Sequence, residues 1–231
     1  MYLQITTRCN MSCAHCCFSC TKEGDDMPLS VFRKAIEFDC YITLGGGEPT
    51  LHRHFNTMLL ESLASKDHGE GGLTVITNGS VTRTALLLAA LAKSNVLDAQ
   101  ISRDEYHDPI DPRVVRAFEK IGEKTRSVTH LQHHPGIRNT TQQDDPKPYG
   151  RGIELLGLEP DDLEHDGSDC MCSDHIVKPN GNIMQCGCPD APMIGDVENG
   201  IGDSCSGGGE CCHSSEFHNW CIENDHEHWL V

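Results

Sequence analysis

Aromatic side chains are scarce in this 231-residue chain, at 5% of residues. Any core must therefore rest mainly on aliphatic residues, and several apolar stretches are present to build one. Basic residues are also few: 18 Lys and Arg stand against 35 Asp and Glu, for a net charge of −17. That balance argues against a broad groove for long nucleic acid, which needs many phosphate contacts. It leaves room for a small nucleotide, for local contact with a polynucleotide, for a basic partner or peptide, or simply for solubility. No apolar run is long enough to span a membrane. The opening MYLQITTRC has neither a basic n-region nor an apolar h-region, so it does not read as a signal peptide and the protein is expected in the cytoplasm. Against these absences stand fourteen cysteines. In a chain with no secretory start, they read as metal ligands rather than disulfides.

The length suits one medium domain, or one with a small appendage. Short apolar runs alternate with helical patterns. Strands are expected at 2–6, 41–50 (ending in glycines), 73–79 (running into a turn), 96–102 and 127–133. Helices are expected at 27–38, 54–64, 82–94 and 112–124, the last with Val114, Phe118 and Ile121 on one face. Pro28 marks a helix start. This βαβα series predicts an α/β fold with a parallel sheet and outer helices. Residues 134–169 turn rich in Pro, Gly and Asp and read as a long connection carrying one short element at 153–158. Residues 175–187 read as a β-hairpin around PNGN. The division expected is 1–149, followed by a cysteine-rich region at 150–231.

The chemistry-bearing residues fall just after expected strands, where ligands bind in parallel α/β sheets. Cys9, Cys13, Cys16, Cys17 and Cys20 crowd the loop after the first strand. C-x3-C-x2-C at Cys9, Cys13 and Cys16 can grip three corners of an iron–sulfur cubane and leave one iron open. The competing reading is zinc on Cys13, Cys16, Cys17 and Cys20. GGGEPTL (45–51) follows the second strand, with glycines that admit close approach and Glu48 as a carboxylate for an ammonium group. Asn78 follows the third strand; Ser102, Asp104, Tyr106 and His107 follow the fourth. Such polar residues also serve as turn residues or helix caps. Tyr106 and His107 are candidates to donate or accept a proton or hydrogen atom. His133 and His134, after the expected fifth strand, are candidates for substrate contact, though such histidines are more often surface residues. Cys40, before the second strand, reads as structural.

C-x3-C-x2-C after strand one, followed by GGEP after strand two, resembles the radical S-adenosylmethionine (SAM) superfamily in order and place. The resemblance covers about residues 1–133. It implies a partial (β/α)6-type parallel barrel. It makes Cys9, Cys13 and Cys16 ligands of a 4Fe–4S cluster whose open iron takes SAM. His15 stands where the family has an aromatic beside the adenine. Gly46, Gly47 and Glu48 match the motif that holds the SAM ammonium; Asn78, Ser102 and Asp104 match positions that contact its ribose or carboxylate. Cys170 or Cys172, then Gly181, then Cys186, resembles the auxiliary-cluster segment of SPASM and twitch enzymes. GRG at 150–152 and IGDVENGIGD at 194–203 fit that segment too. The later cysteines depart from full SPASM spacing, so one auxiliary 4Fe–4S cluster is expected. Its ligands would be Cys186, Cys172 (or Cys170), Cys212 (or Cys205 or Cys211) and Cys221, and zinc on the same thiolates is the alternative.

The resemblance implies an enzyme that cleaves SAM reductively, fed by a reductant such as flavodoxin or ferredoxin, and abstracts hydrogen from a substrate. A peptide or protein side chain is expected, with epimerisation, oxidation or crosslinking as the outcome. The absence of an added domain ahead of the first strand weighs against it. A nucleoside, nucleotide or nucleic-acid base is the alternative substrate. A non-catalytic zinc or iron–sulfur protein is the alternative of another class.

Overall fold

The computed structural model describes residues 1–39, 41–65, 72–125, 136–138, 150–157, 175–185, 187 and 191–201. Strand β1 (Tyr2–Thr6) is followed by helix α1 (Leu29–Ala35), β2 (Tyr41–Gly46), a 3-10 turn (Pro49–Leu51) and α2 (Phe55–Ser65). Then come β3 (Gly72–Thr77), α3 (Thr82–Lys93), β4 (Asp98–Ser102), α4 (Pro112–Thr125) and β5 (Gly136–Arg138). Helix α5 (Arg151–Leu156) precedes four short strands: β6 (Ile176–Val177), β7 (Asn182–Met184), β8 (Met193–Asp196) and β9 (Gly200–Ile201).

Among the described residues, the nine strands form one sheet in the order β5-β4-β3-β2-β1-β6-β7-β8-β9. The pairs from β5 across to β6 are parallel, and those from β6 to β9 are antiparallel. The inner parallel strands are buried on both faces: Leu3, Gln4, Ile5 and Thr6 of β1 are each at most 2% exposed. Such strands read as near-continuous apolar runs rather than alternating ones. Helices cover them with narrow apolar stripes. Val114, Phe118 and Ile121 of α4 are buried, as their spacing predicts, and Ala85, Leu88, Ala89 and Ala92 do the same on α3. Phe32 and Met58 complete the core from α1 and α2.

The segment read as strand five, 127–133, lies outside the described residues, as do His133 and His134; among the described residues β5 falls at Gly136–Arg138, inside what reads as a connection. Three residues with a glycine at their head carry too little apolar pattern to announce a strand. The hairpin expected at 175–187 is present as β6–β7, and it extends the main sheet: Tyr2 pairs with Ile176 and Leu3 with Val177. The element expected at 153–158 is α5, starting at Arg151. No described helix is long and apolar enough to cross a membrane.

Candidate functional site

The loop after β1 is closed at its root by backbone bonds. Thr7 N donates to Asp25 O at 2.8 Å, Cys9 N to Thr21 O at 2.7 Å, and Met27 N to Ile5 O at 2.8 Å. Side chains reinforce it. Thr6 Oγ1 donates to Asp26 Oδ1 at 2.7 Å, and Arg8 Nη2 donates to Asp26 Oδ2 at 2.7 Å and to Leu51 O at 2.9 Å. The result is a compact loop with its ends together, a form common at functional sites. Inside it, Cys9, Met11, Cys13 and Cys20 form a buried cluster, with Cys16, Phe18 and Tyr106 packed against it. All five cysteines are free thiols.

Burial pushes the thiols of Cys9 and Cys13 up, Cys13 to about 11. The Cys20 thiol beside Cys16 pulls Cys16 down to about 5, and Cys20 is itself pushed up. Zinc holds four sulfurs at about 2.3 Å, which sets them roughly 3.8 Å apart. Among the described residues, the trio of metal-type ligand atoms lying within 4.8 Å of one another is His15, Asp104 and His107, and no three thiols are gathered so closely. Three thiols on one short loop, with Cys9 and Cys13 buried, are the donor set a 4Fe–4S cluster with one open iron would need.

The glycines after β2 have a local reason. A Cβ on Gly46, whose φ is +129°, would lie 2.2 Å from Thr6 O, and one on Gly47 would lie 2.3 Å from Arg8 O. The two motif loops thus interlock through bare backbone. Gly47 N donates to Thr6 O and Glu48 N to Arg8 O, both at 2.8 Å. Glu48, at the head of the 3-10 turn after β2, faces inward. Its side chain is fully buried, and its carboxylate accepts from Thr50 N at 3.1 Å, from Thr50 Oγ1, from Thr77 Oγ1 at 2.7 Å and from Asn78 N at 2.6 Å. Burial pushes this carboxyl up, while the donors of Thr50, Asn78 and Thr77 pull it back. This carboxylate thus ties the ends of β2 and β3 together.

Asn78 carries that tie onward. Its Nδ2 lies 3.7 Å from Cys9 Sγ and donates to Asn10 Oδ1 at 3.1 Å. It also lines a cavity of about 410 Å³ with Ser102, Asp104, His107, Val115 and Arg116. Asp104 is the hinge between this cavity and the cysteine loop. Its side chain is fully buried; Oδ1 accepts from Tyr106 N at 2.9 Å and lies 2.7 Å from His107 Nδ1, and Oδ2 lies 3.3 Å from His15 Nε2. Burial holds His15 below its ordinary value. Its ring stands 4.9 Å from that of Tyr106 and 5.2 Å from that of His107. So His15, Asn78, Ser102, Asp104, Tyr106 and His107 do gather at the carboxyl ends of β1 to β4, next to Cys9, Cys13 and Cys16.

Sequence reasoning missed the residues that reach this loop from far along the chain. Arg151 donates from N to Cys16 O at 3.0 Å, from Nε to Cys13 O at 2.8 Å and from Nη1 to Cys20 O at 2.7 Å. A Cβ on Gly150 would lie 2.4 Å from Cys16 O. Lys178 Nζ sits 5.3 Å above the Phe18 ring. The GRG triplet was visible as a signal, but its partner was not. The expected auxiliary ligands Cys172, Cys186, Cys212 and Cys221 lie outside the described residues, as do Cys40, Cys170, Cys205 and Cys211.

The profile of the radical SAM superfamily matches residues 3–145. The mycofactocin maturase MftC of Mycolicibacterium smegmatis (strain ATCC 700084 / mc(2)155) is 34% identical over 177 residues, which cover 68% of this chain and 44% of that protein. The chain thus spans less than half the length of this curated relative. Two solved structures are similar in fold. Hexahistidine-tagged anSMEcpe with bound AdoMet gives a TM-score of 0.52 at 14% identity, over 95% of this chain and 82% of that one. Native anSMEcpe with bound AdoMet and Kp18Cys peptide gives 0.51 at 14% identity, over the same shares, 95% and 82%.

Proposed function

Because this chain belongs to the radical SAM superfamily, we propose that it cleaves SAM reductively and uses the resulting radical to take hydrogen from a peptide or protein side chain. Cys9, Cys13 and Cys16 would hold the 4Fe–4S cluster. Bound there together, cluster and SAM supply the one-electron chemistry that amino-acid side chains lack. The observation that carries the reading is that a 410 Å³ cavity adjoins the cysteine loop: its lining Asn78 lies 3.7 Å from Cys9 Sγ, and its lining Asp104 lies 3.3 Å from His15 of that loop.

The protein's own part is to bind, orient and exclude water. Asn78, Ser102 and Asp104 line the cavity as polar contacts for SAM, and His15, held by Asp104, would stand beside the adenine. Glu48 holds the strand ends in register around them. Tyr106, through its hydroxyl, and His107, at the cavity wall, are the groups available to hold or move a proton beside the substrate. A low-potential donor of the flavodoxin or ferredoxin class would supply the electron. In the division proposed, residues 1–149 carry this site and 150–231 a second, auxiliary cluster on Cys172, Cys186, Cys212 and Cys221. The peptide class is supported by the resemblance of that segment to SPASM enzymes.

The test is anaerobic. The protein is reconstituted with iron and sulfide, reduced and given SAM. Formation of 5′-deoxyadenosine and methionine supports the reading; an intact cluster with no SAM cleavage refutes it. Replacing Cys9, Cys13 and Cys16 together with Ala is expected to remove only part of the iron, and loss of all of it would refute the second cluster.

A further inference from the structure

Three observations converge on one arginine outside the motifs. Arg151 reaches the cysteine loop with three donors, and the carbonyls it ties belong to Cys13, Cys16 and Cys20. Gly150, with φ +55°, brings the backbone so close to Cys16 O and Cys17 O that no side chain fits there. The loop it clamps holds no other Lys or Arg between Cys9 and Cys20, in a chain of net charge −17. A guanidinium suits this task because its planar fork reaches two carbonyls at once while keeping a fixed charge, which a lysine cannot do.

We infer that Arg151 is a positioning residue of the cysteine loop, fixing its backbone and setting a positive charge beside its thiols so that a cluster bound there is easier to reduce. The inference rests on the proposed role of Cys9, Cys13 and Cys16. Reduction adds one electron, taken from a low-potential donor, and so one negative charge to the bound group. A fixed cation alongside favours that state, as hydrogen bonding and charge around iron–sulfur clusters do in general. Residues at 151 and beyond are thereby part of the radical site rather than of the C-terminal region alone.

The experiment compares wild type, Arg151→Met and Arg151→Lys. Each is reconstituted anaerobically, its iron measured, and its SAM-site midpoint potential read by EPR-monitored titration. Amide hydrogen exchange over residues 9–21 is measured on the iron-free chains, with α2 as the internal reference. In Arg151→Met, the reduced-to-oxidised ratio at a set potential is expected to fall about tenfold, which is 59 mV for a one-electron couple. Arg151→Lys keeps the charge and is expected to recover most of that shift. Both variants lose the fork, so exchange over 9–21 is expected to rise about tenfold or more in each while α2 stays unchanged. Equal potentials in Arg151→Met and wild type overturn the electrostatic half. Unchanged exchange over 9–21 overturns the positioning half, even if a variant takes up no iron. Failure of the wild type to load a cluster on Cys9, Cys13 and Cys16 refutes the proposed function instead, and the exchange result then still decides the positioning.

Discussion

Replacing Glu48 with Gln exchanges one carboxylate oxygen for an amide that can only donate. Glu48 Oε1 accepts from Thr50 N, Thr50 Oγ1 and Thr77 Oγ1, and Oε2 accepts from Asn78 N. The two hydroxyls can turn to accept from an amide; the two backbone N–H groups cannot. Gln is expected to keep its oxygen toward Asn78 N, the shorter bond at 2.6 Å, and to set its NH2 against Thr50 N–H at 3.1 Å. One buried donor is then stranded, which costs about 1–3 kcal/mol. For a domain of this size, each kcal/mol moves Tm by about 2–4 °C, so the fall is roughly 2–12 °C. Glu48→Ala strands both backbone donors and opens a void, and is expected to cost more, about 2–5 kcal/mol. Urea and thermal unfolding of anaerobically handled protein measure both. Glu48→Gln as stable as wild type, or Glu48→Ala no worse than Glu48→Gln, would refute the view that this carboxylate holds β2, the 3-10 turn and β3 together.

Two further predictions follow from the same junction. Burial raises the Glu48 carboxyl above its ordinary 4.5, so the folded protein binds that proton more tightly than the unfolded chain. The contribution is complete below about 4.5 and is lost as pH rises through the folded value. The stability gap between wild type and Glu48→Gln is therefore expected to narrow from pH 5 upward in urea titrations; a gap that widens contradicts it. Gly47→Ala would press a methyl to 2.3 Å from Arg8 O. It is expected to cost about 1–3 kcal/mol and to unlock exchange at Arg8 and Cys9, whereas a neutral Gly47→Ala in denaturant unfolding would sink the interlock.

The parts of the site that could be read from the sequence are those whose pattern is local. The stripe of Val114, Phe118 and Ile121 follows from helical spacing. The hairpin around PNGN follows from turn chemistry. The convergence of residues after β1 to β4 follows from parallel topology, which sends each post-strand loop to one end of the sheet. What could not be read depends on partners distant in sequence. A glutamate after glycines reads as an open carboxylate, and only Thr77 and Asn78, some thirty positions on, draw it inside. Arg151 reads as part of its own segment because nothing near it names Cys13 or Cys16 as its acceptors. Cys20 reads as surplus until the loop folds and buries it beside Cys16.

The pairing of β1 with β6 sets an order on biosynthesis. Tyr2 and Leu3 are made about 174 residues before their neighbours on one side, Ile176 and Val177. At about 5–20 residues per second, that interval is on the order of ten seconds or more. Throughout it, the nascent cysteines sit beside an open strand edge, and Arg151 has yet to emerge for most of that time. A cell that keeps oxygen and stray metals from those thiols during translation protects the protein at the stage when its own later residues cannot.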